Sequence, residues 1–274
     1  MDKRLTIVAG AGALVPEIVL GALADGWQVQ LVTLANRETI DGTVSIPGSL
    51  SDPVSIIAAI RAFPSTHLCL AGGVNMTNDA RSRLLTAVSA AAPGAGAMGD
   101  TAVSSFAAAL EFVSGAKIVG AHQIVPSIVV ADGSVAGPPL APDMEAAALF
   151  ALQTARDAGK LDLGQAVVAT GNRVLAVEDI SGTDMLIERA GSFRHADLVA
   201  PDTPLVLAKA AKPDQSLLID MPAIGPKTIE KAAHSRISVI ALQAGQTMIL
   251  QRAETCANAE RLGITIIGRT LSDG

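Results

Sequence analysis

Aromatic residues are scarce in this chain, which has no tyrosine, one tryptophan and five phenylalanines among its 274 residues. Half of the residues are nevertheless hydrophobic and only 17% are charged, so the core must be built from alanine, valine, isoleucine and leucine. No cluster of aromatic and basic residues offers a surface on which nucleic-acid bases could stack. The formal net charge of −6 also argues against a nucleic-acid partner, because binding to phosphate backbones requires a basic surface.

Cysteine is nearly absent as well, with only Cys69 and Cys256 in the chain. Both cysteines lie in apolar surroundings and show no spacing typical of metal ligands, so we interpret them as reduced core thiols. The basic start and apolar stretch of residues 1–26 resemble a signal peptide, but Pro16 and Glu17 interrupt the stretch. No uncharged apolar run of about 18 residues occurs elsewhere. We therefore expect a cytoplasmic protein.

Short apolar runs alternate with helical patterns in the first half, which predicts a parallel sheet covered by helices. The second half contains two alternating runs around Thr170 and Gly171 that predict a β-hairpin, followed by further strands and helices. We predict an α/β protein of two α/β domains joined by a linker: an N-terminal Rossmann-like parallel sheet in residues 1–130, a Gly- and Pro-rich linker in residues 131–142, and a C-terminal mixed α/β domain in residues 143–274.

A strand, a glycine turn and a helix open the chain, as in dinucleotide-binding folds. Gly10 and Gly12 would let a phosphate approach the backbone at the start of the helix. Val15 replaces the third glycine of that pattern, and the end of the second strand, about 20 residues on, has no acid to hold an NAD ribose. A phosphate-bearing nucleotide and a plain tight turn therefore both remain open.

Two later turns repeat this arrangement. The third predicted strand ends at Gly72 and is followed by Asn75, which can hydrogen-bond a ligand. Gly99 and Asp100 precede another helix, where Asp100 is either a helix cap or a ligand to a metal or a hydroxyl group. Because ligands of open α/β sheets bind at the carboxyl ends of strands, we predict substrate-binding roles for Gly72, Asn75, Gly99 and Asp100.

Asp220 is the strongest candidate for a catalytic carboxylate. We predict that it ends a strand over Leu217–Asp220, and Pro222 and Pro226 restrict the backbone after it. Lys209 and Lys212 lie upstream, and a carboxylate near lysines suits a site for phosphate and a divalent metal. A helix cap paired with a surface lysine is the alternative. Patterns of serine hydrolases, zinc proteases and P-loop proteins are absent from the sequence.

The order of these segments resembles the UDP-2,3-diacylglucosamine pyrophosphatases of the LpxI type. The two most specific segments are AVEDISGTDMLIERAG, residues 176–191, and LAKAAKPDQSLLIDMPAIGPKTI, residues 207–229. Shorter matches occur throughout most of the chain: AGAGALVPE, CLAGGVN, GDTAV, VGAHQIVPS and GKLDLGQAVV. The first turn departs from the family, which commonly has a run of glycines where Ala11 stands here.

The resemblance implies a hydrolase of lipid A biosynthesis that releases UMP and 2,3-diacylglucosamine 1-phosphate, with Mg²⁺ or Mn²⁺ as cofactor. It implies that Asp220 is the catalytic carboxylate and a metal ligand. It further implies a lipid-linked nucleotide sugar as substrate. Because no long amphipathic basic helix is evident, we expect contact with the inner membrane surface to be peripheral and weak, and a homodimer is an open alternative to a monomer. On the basis of the resemblance we expect Gly10, Ala11, Gly12, Thr183, Asp184 and Lys209 to bind the substrate. We add Thr170 and Gly171 of the predicted hairpin turn to this set. A non-catalytic nucleotide-sugar-binding module and another nucleotide-dependent enzyme remain the alternatives.

Overall fold

The computed structural model describes residues 3–74, 82, 86, 102–213 and 216–272. The chain divides into two compact units, Met1–Pro126 and Ser127–Gly274. In the described part of the chain, no helix combines the length and apolar character needed to cross a membrane.

The first unit is built on a five-stranded sheet in the order β3-β2-β1-β4-β5, in which every neighbouring pair is parallel. This order reverses direction at β1, so the turns after β1 and β4 lie side by side at the centre of the sheet. Its described elements are β1 (Arg4–Ala9), α1 (Leu14–Ala24), β2 (Gln28–Thr33), β3 (Thr43–Pro47), α2 (Pro53–Ala62), β4 (His67–Ala71), α3 (Ala102–Ser114), β5 (Lys117–Ile118) and α4 (Ala121–Ile124).

Local sequence explains why these segments form. Residues 5–9 of β1 are all buried, as expected for a central strand that is covered on both faces. The buried positions of α1 follow helical spacing and place Val15, Ile18, Val19 and Ala22 on the sheet side. Helix α2 begins where Asp52 accepts a hydrogen bond from the Ser55 amide, with Pro53 at its first position.

The second unit contains a six-stranded mixed sheet in the order β6-β13-β11-β9-β7-β8, in which β13, β11 and β9 are parallel and β6, β7 and β8 are antiparallel to their neighbours. A separate two-stranded parallel pair joins β10 and β12. The described elements are β6 (Gly133–Ala136), α5 (Pro142–Lys160), β7 (Ala166–Thr170), β8 (Arg173–Val177), α6 (Gly182–His195), β9 (Val206–Lys209), β10 (Ala223–Ile224), α7 (Pro226–His234), β11 (Val239–Gln243), β12 (Met248–Ile249), α8 (Arg252–Leu262) and β13 (Thr265–Arg269).

Two apolar layers cover the faces of this sheet. Along β9, Val206 and Ala208 pack in the layer that contains the buried alanines of α5, whereas Leu207 packs in the layer formed by α6, α7 and α8. Side chains of β11 alternate in the same way. Because both faces are buried, the parallel strands are continuously hydrophobic, and their carboxyl ends become the accessible edge of the sheet.

The predicted class is confirmed: the first unit has a parallel sheet, and the second is a mixed α/β unit. The predicted linker differs from the structure, because residues 133–136 form the edge strand β6, which pairs antiparallel with β13 of the second unit. The glycines and prolines that suggested a linker thus bound a short edge strand, a position in which such residues are tolerated.

The prediction of a strand over residues 217–220 is wrong. The segment is a turn, in which the amides of Ile219 and Asp220 both donate to the carbonyl oxygen of Ser216, at 3.0 and 3.1 Å. Pro213 and Pro222 flank the segment and supply no amide donors for a sheet, and the backbone closes its hydrogen bonds locally instead.

Candidate functional site

Lys209 is the centre of the candidate site in the second unit. It ends β9 at the carboxyl edge of the parallel strands, and only 6% of its surface is exposed. Its ammonium group donates one hydrogen bond to the hydroxyl oxygen of Thr183 at 2.9 Å and another to the carbonyl oxygen of Ala223 at 3.2 Å. A lysine ammonium has three N–H donors. The third has no partner among the residues that the structure describes.

Three separate elements position Lys209 and its two partners. Strand β9 is fixed between β11 and β7, with Lys209 opposite Leu242 and Ala166. Thr183 lies in the first turn of α6. Ala223 belongs to β10, which pairs with β12. The residues on either side of Ala223 are held there, because Pro222 accepts from the Met248 amide at 2.8 Å and Ile224 accepts from the Leu250 amide at 2.9 Å. The cation is therefore positioned by segments that are distant in sequence.

Burial lowers the pKa of Lys209, because removing an ammonium from water disfavours its charged form. The negative charges of Glu178, Asp220 and Asp184 oppose this shift and raise the pKa. The ammonium donor that has no partner among the described residues is suited to bind an anionic group that displaces water from the site.

Asp220 is exposed and stands three positions before Ala223, whose carbonyl group binds Lys209. Its charge acts on the lysine, so the structure brings the predicted catalytic carboxylate and the predicted phosphate-binding cation together. Helix α7 follows, with Pro226 at its first position and the Thr228 hydroxyl accepting from the Gly225 amide at 3.3 Å. The helix start is satisfied by Thr228, and Asp220 is not its cap.

Helix α6 begins without a side-chain cap. Ser181 precedes the helix, but its hydroxyl donates to Asp179 and does not cap α6. The Thr183 hydroxyl is bound to Lys209 and Glu178 and is not a cap either. Hydrogen bonds from the side chain and amide of Ser181 and from Arg189 lower the pKa of Asp179 to about 2. These contacts fix the turn that delivers Thr183 to Lys209.

Asp184 and Lys212 have partners of their own. Asp184 forms an ion pair of 3.1 Å with Lys231, which also binds Glu188 at 2.8 Å. Both contacts raise the pKa of Lys231, with the Glu188 hydrogen bond as the larger cause. Lys212 forms an ion pair with Asp162 at 2.5 Å. Asp184 therefore influences Lys209 through its charge, and Lys212 belongs to a different contact.

Thr170 and Gly171 are not brought to this site. They form the turn between β7 and β8, and β7 runs antiparallel to β9 with Ala166 opposite Lys209. Thr170 is thus about 13 Å further along the strand at ~3.3 Å per residue, at the other end of the sheet. The hairpin prediction is confirmed, but the hairpin turn and Lys209 lie at opposite edges.

In the first unit, the predicted glycine turns after β1 and β4 meet at the point where the strand order reverses. The amide of Ala11 donates to the Gly73 carbonyl and the Gly73 amide donates to the Ala11 carbonyl, each at 2.8 Å. The Gly10 amide donates to Ala71, also at 2.8 Å. The amides of Gly10 and Ala11 are therefore engaged within the protein and are not free for a phosphate group.

Gly12 keeps the character expected of a ligand-binding turn. Its φ angle is 106°, and a Cβ atom built there would meet nothing within 4 Å. Helix α1 then begins without a side-chain cap. Gly72 serves a structural purpose, because a Cβ atom there would lie 2.5 Å from the Ala11 carbonyl oxygen. Asn75, Gly99 and Asp100 lie outside the described residues.

Two residues near these sites were missed by the sequence reasoning. Arg37, after β2, donates to the Gly10 carbonyl, and its Nε is buried with no hydrogen-bond partner in the described part of the chain. Glu178 follows β8 and accepts from Thr183. In the sequence, Arg37 is recognisable as a basic residue in the region where NAD enzymes have an acid. Glu178 is recognisable as a charged residue that ends an alternating apolar run.

No group of three or more His, Cys, Asp or Glu residues is arranged to hold a metal ion within the described residues. Both Glu178 carboxylate oxygens accept hydrogen bonds from the protein, and Asp184 is paired with Lys231. Asp220 is exposed, and its charge acts on Lys209.

Comparison with solved structures adds no argument. A putative epimerase from Burkholderia cenocepacia is 12% identical, with 98% of this chain and 84% of that chain covered and a TM-score of 0.35. A short-chain dehydrogenase from Leptospira borgpetersenii with bound NAD⁺ is 14% identical, with 32% and 41% covered and a TM-score of 0.25. Resemblance at this level supports no conclusion about the fold or the function.

Sequence comparison is decisive for the family. Residues 4–128 match the LpxI N-terminal domain and residues 131–267 match the LpxI C-terminal domain. A protein of Caulobacter vibrioides named UDP-2,3-diacylglucosamine pyrophosphatase LpxI is 31% identical over 279 residues, with 97% of each chain covered. The matches span both units and include every residue of the site around Lys209, and on these grounds the chain belongs to the LpxI family.

Proposed function

We propose that this protein hydrolyses the pyrophosphate of UDP-2,3-diacylglucosamine and releases UMP and 2,3-diacylglucosamine 1-phosphate. The name of the Caulobacter relative supports this assignment along the whole chain. The observation that carries it is the buried ammonium of Lys209, held by Thr183 and Ala223 beside the exposed carboxylate of Asp220. A fixed cation next to an accessible carboxylate suits phosphoryl transfer to water.

The reaction forms one bond between a water oxygen and phosphorus and breaks one bond between phosphorus and the bridging oxygen. Negative charge develops on the phosphoryl oxygens and on the leaving phosphate. We assign the third N–H donor of Lys209 to a phosphoryl oxygen, where it offsets that charge. We assign Asp220 to the attacking water, which it orients and from which it accepts a proton. Asp184 and Thr183 act on this site through Lys209.

Mg²⁺ or Mn²⁺ is part of the proposal. Magnesium is commonly held by one or two carboxylates, with substrate phosphates and water completing its shell, so a cluster of three protein ligands is not required. Asp220 fits this description, because it is exposed and its charge acts on Lys209. The ion would neutralise pyrophosphate charge and lower the pKa of a bound water molecule.

For the first unit we propose binding of the uridine diphosphate group. The open turn at Gly12 and the uncapped start of α1 support this assignment, since a helix start attracts phosphate. The half-buried guanidinium of Arg37 adds a positive charge beside Gly10. Because the substrate is lipid-linked, we also propose peripheral contact of the protein with the inner membrane surface. We further propose that the protein forms a homodimer.

The test is an assay of UMP release from UDP-2,3-diacylglucosamine, with added Mg²⁺, added Mn²⁺ or excess chelator. We expect release with either metal, no release in excess chelator, and restored release when Mg²⁺ or Mn²⁺ is added back. Full turnover in excess chelator would remove the metal from the proposal. Tight binding of the substrate with no UMP release would indicate a non-catalytic nucleotide-sugar module. Binding of NAD in preference to UDP would indicate another nucleotide-dependent enzyme.

A further inference from the structure

Glu178 is a buried carboxylate to which the proposed reaction assigns no role. It directly follows β8, and its residue exposure is 8%. Strands β8 and β9 both run antiparallel to β7, so the end of β8 and the end of β9 lie at the same edge of the sheet. Glu178 therefore reaches the neighbourhood of Lys209 from a strand two positions away in the sheet.

The backbone and the carboxylate of Glu178 are both fixed. Its amide donates to the Ala166 carbonyl at 2.8 Å, and its Oε2 accepts from the Gln165 amide at 2.8 Å. Gly164 packs so closely that a Cβ atom there would lie 2.5 Å from the Glu178 carbonyl oxygen and 2.7 Å from its Cβ. With one carboxylate oxygen held by the backbone, the other is directed at Thr183.

The donor and acceptor capacities of the side chains fix the direction of the hydrogen bonds from Lys209 through Thr183 to Glu178. A lysine ammonium has donors and no acceptor, and an ionised carboxylate has acceptors and no donor. Thr183 must therefore donate its one hydroxyl proton to Glu178 Oε1 and accept from Lys209 Nζ at 2.9 Å. Glu178 removes the rotational freedom of the hydroxyl group, and the hydroxyl group in turn fixes one of the three lysine donors.

The negative charge of Glu178 also acts on Lys209, in addition to the hydrogen bonds through Thr183. Burial lowers the pKa of Lys209, and the charge of Glu178 is the largest of the opposing influences, ahead of Asp220 and Asp184. Asp184 is itself paired with Lys231. Glu178 therefore favours the protonated ammonium as well as its orientation.

We infer that Glu178 is a positioning residue, which fixes the hydroxyl group of Thr183 and through it aims the remaining N–H donor of Lys209 at a phosphoryl oxygen. This role rests on the proposed function for the identity of the oxygen. The hydrogen-bonded chain from Glu178 through Thr183 to Lys209 is a property of the protein alone and is open to measurement without turnover.

The first test is the kinetics of Glu178→Gln, which keeps the shape of the side chain and removes its charge. We expect kcat to fall about 10- to 100-fold with KM within about twofold, because a misdirected donor affects the transition state more than substrate binding. Glu145→Gln is the control, since Glu145 accepts from Arg269 at 2.9 Å and its side chain is 31% exposed. It should leave both constants unchanged. Equal effects of the two substitutions would overturn the inference.

The second test follows the ammonium of Lys209 by proton–nitrogen NMR of protein labelled with ¹⁵N-lysine, with the signal assigned from Lys209→Met. A buried, hydrogen-bonded ammonium exchanges slowly with water, so we expect the signal at neutral pH and its broadening or loss in Glu178→Gln and Thr183→Val. A Lys209 signal absent from the unaltered protein, or unchanged by Glu178→Gln, would overturn the inference. If the unaltered protein releases no UMP, the proposed function fails while this measurement still decides the role of Glu178.

Discussion

Lys209 and Thr183 are 26 residues apart in sequence, and their side chains meet at 2.9 Å at the edge of the second sheet. One residue ends a strand and the other begins a helix, so neither segment alone defines the site. Within the described residues, the buried ammonium has two hydrogen-bond acceptors, Thr183 and Ala223, for its three donors.

Replacing Lys209 by methionine should abolish most turnover while the fold is kept. Loss of one preorganised donor to developing charge commonly reduces kcat about 10²–10³-fold. Lys212→Met is the matched control, because Lys212 is paired with the exposed Asp162 and should retain near-normal turnover. UMP release and circular dichroism together make the measurement. Normal turnover of folded Lys209→Met would contradict the assigned role.

Asp220→Asn should lower kcat by about 10²-fold or more, because the amide can neither accept the proton nor hold a metal ion as a carboxylate does. Substrate affinity, measured by calorimetry, should remain within a few fold, since the nucleotide contacts are assigned to the first unit. Asp162→Asn, at an exposed carboxylate paired with Lys212, is the control. A variant at position 220 with near-normal turnover would refute the catalytic assignment.

Gly72→Ala should destabilise the first unit through a steric clash. The φ angle of Gly72 is 87°, and a Cβ atom would lie 2.5 Å from the Ala11 carbonyl oxygen. Gly26 has a φ angle of 77° but open space around its Cβ position, so Gly26→Ala isolates the backbone strain, about 1 kcal/mol.

The unfolding free energy from urea titration should fall by about 1–3 kcal/mol more for Gly72→Ala than for Gly26→Ala, as expected for overpacking. Equal losses in the two variants would show that the contact between the β1 and β4 turns is not tight.

The two thiols should differ in reactivity. Burial raises the pKa of Cys69 to about 12, whereas Cys256 is only partly buried and its pKa is raised with Arg252 opposing the shift. Because the thiolate is the reactive form, raising the pH to 9 should leave Cys69 unreactive in the folded protein and speed the slow reaction of Cys256. Titration with a disulfide reagent, native and denatured, measures both. Rapid reaction of folded Cys256→Ser would contradict this expectation.

Much of the fold could be predicted from periodicity. The apolar run at residues 67–71 and the helical spacing at residues 252–262 coincide with strand β4 and helix α8, because flanking breakers mark both segments clearly. Strand β3 was missed, since all five of its residues are at least partly exposed and its sequence shows no buried face. The run at residues 217–220 has strand-like composition but lies between prolines, and local hydrogen bonds determine its conformation.

For the site, sequence motifs named Asp220, Lys209 and Thr183 but also included Thr170 and Gly171, which lie at the other end of the sheet. The antiparallel register of β7 and β9 separates them, and register depends on pairing between segments that are distant in sequence. The same limit applies to Gly10 and Ala11, whose amides are occupied by residues of the neighbouring β4 turn.

The alternation of strands and helices, the aliphatic core and the family follow from local spacing and from segments of matching residues. Which charged groups share one edge of the sheet follows from the three-dimensional fold. It placed Glu178, Thr183 and Lys209 in one hydrogen-bonded chain, since strand order and register, and not distance along the chain, bring side chains together.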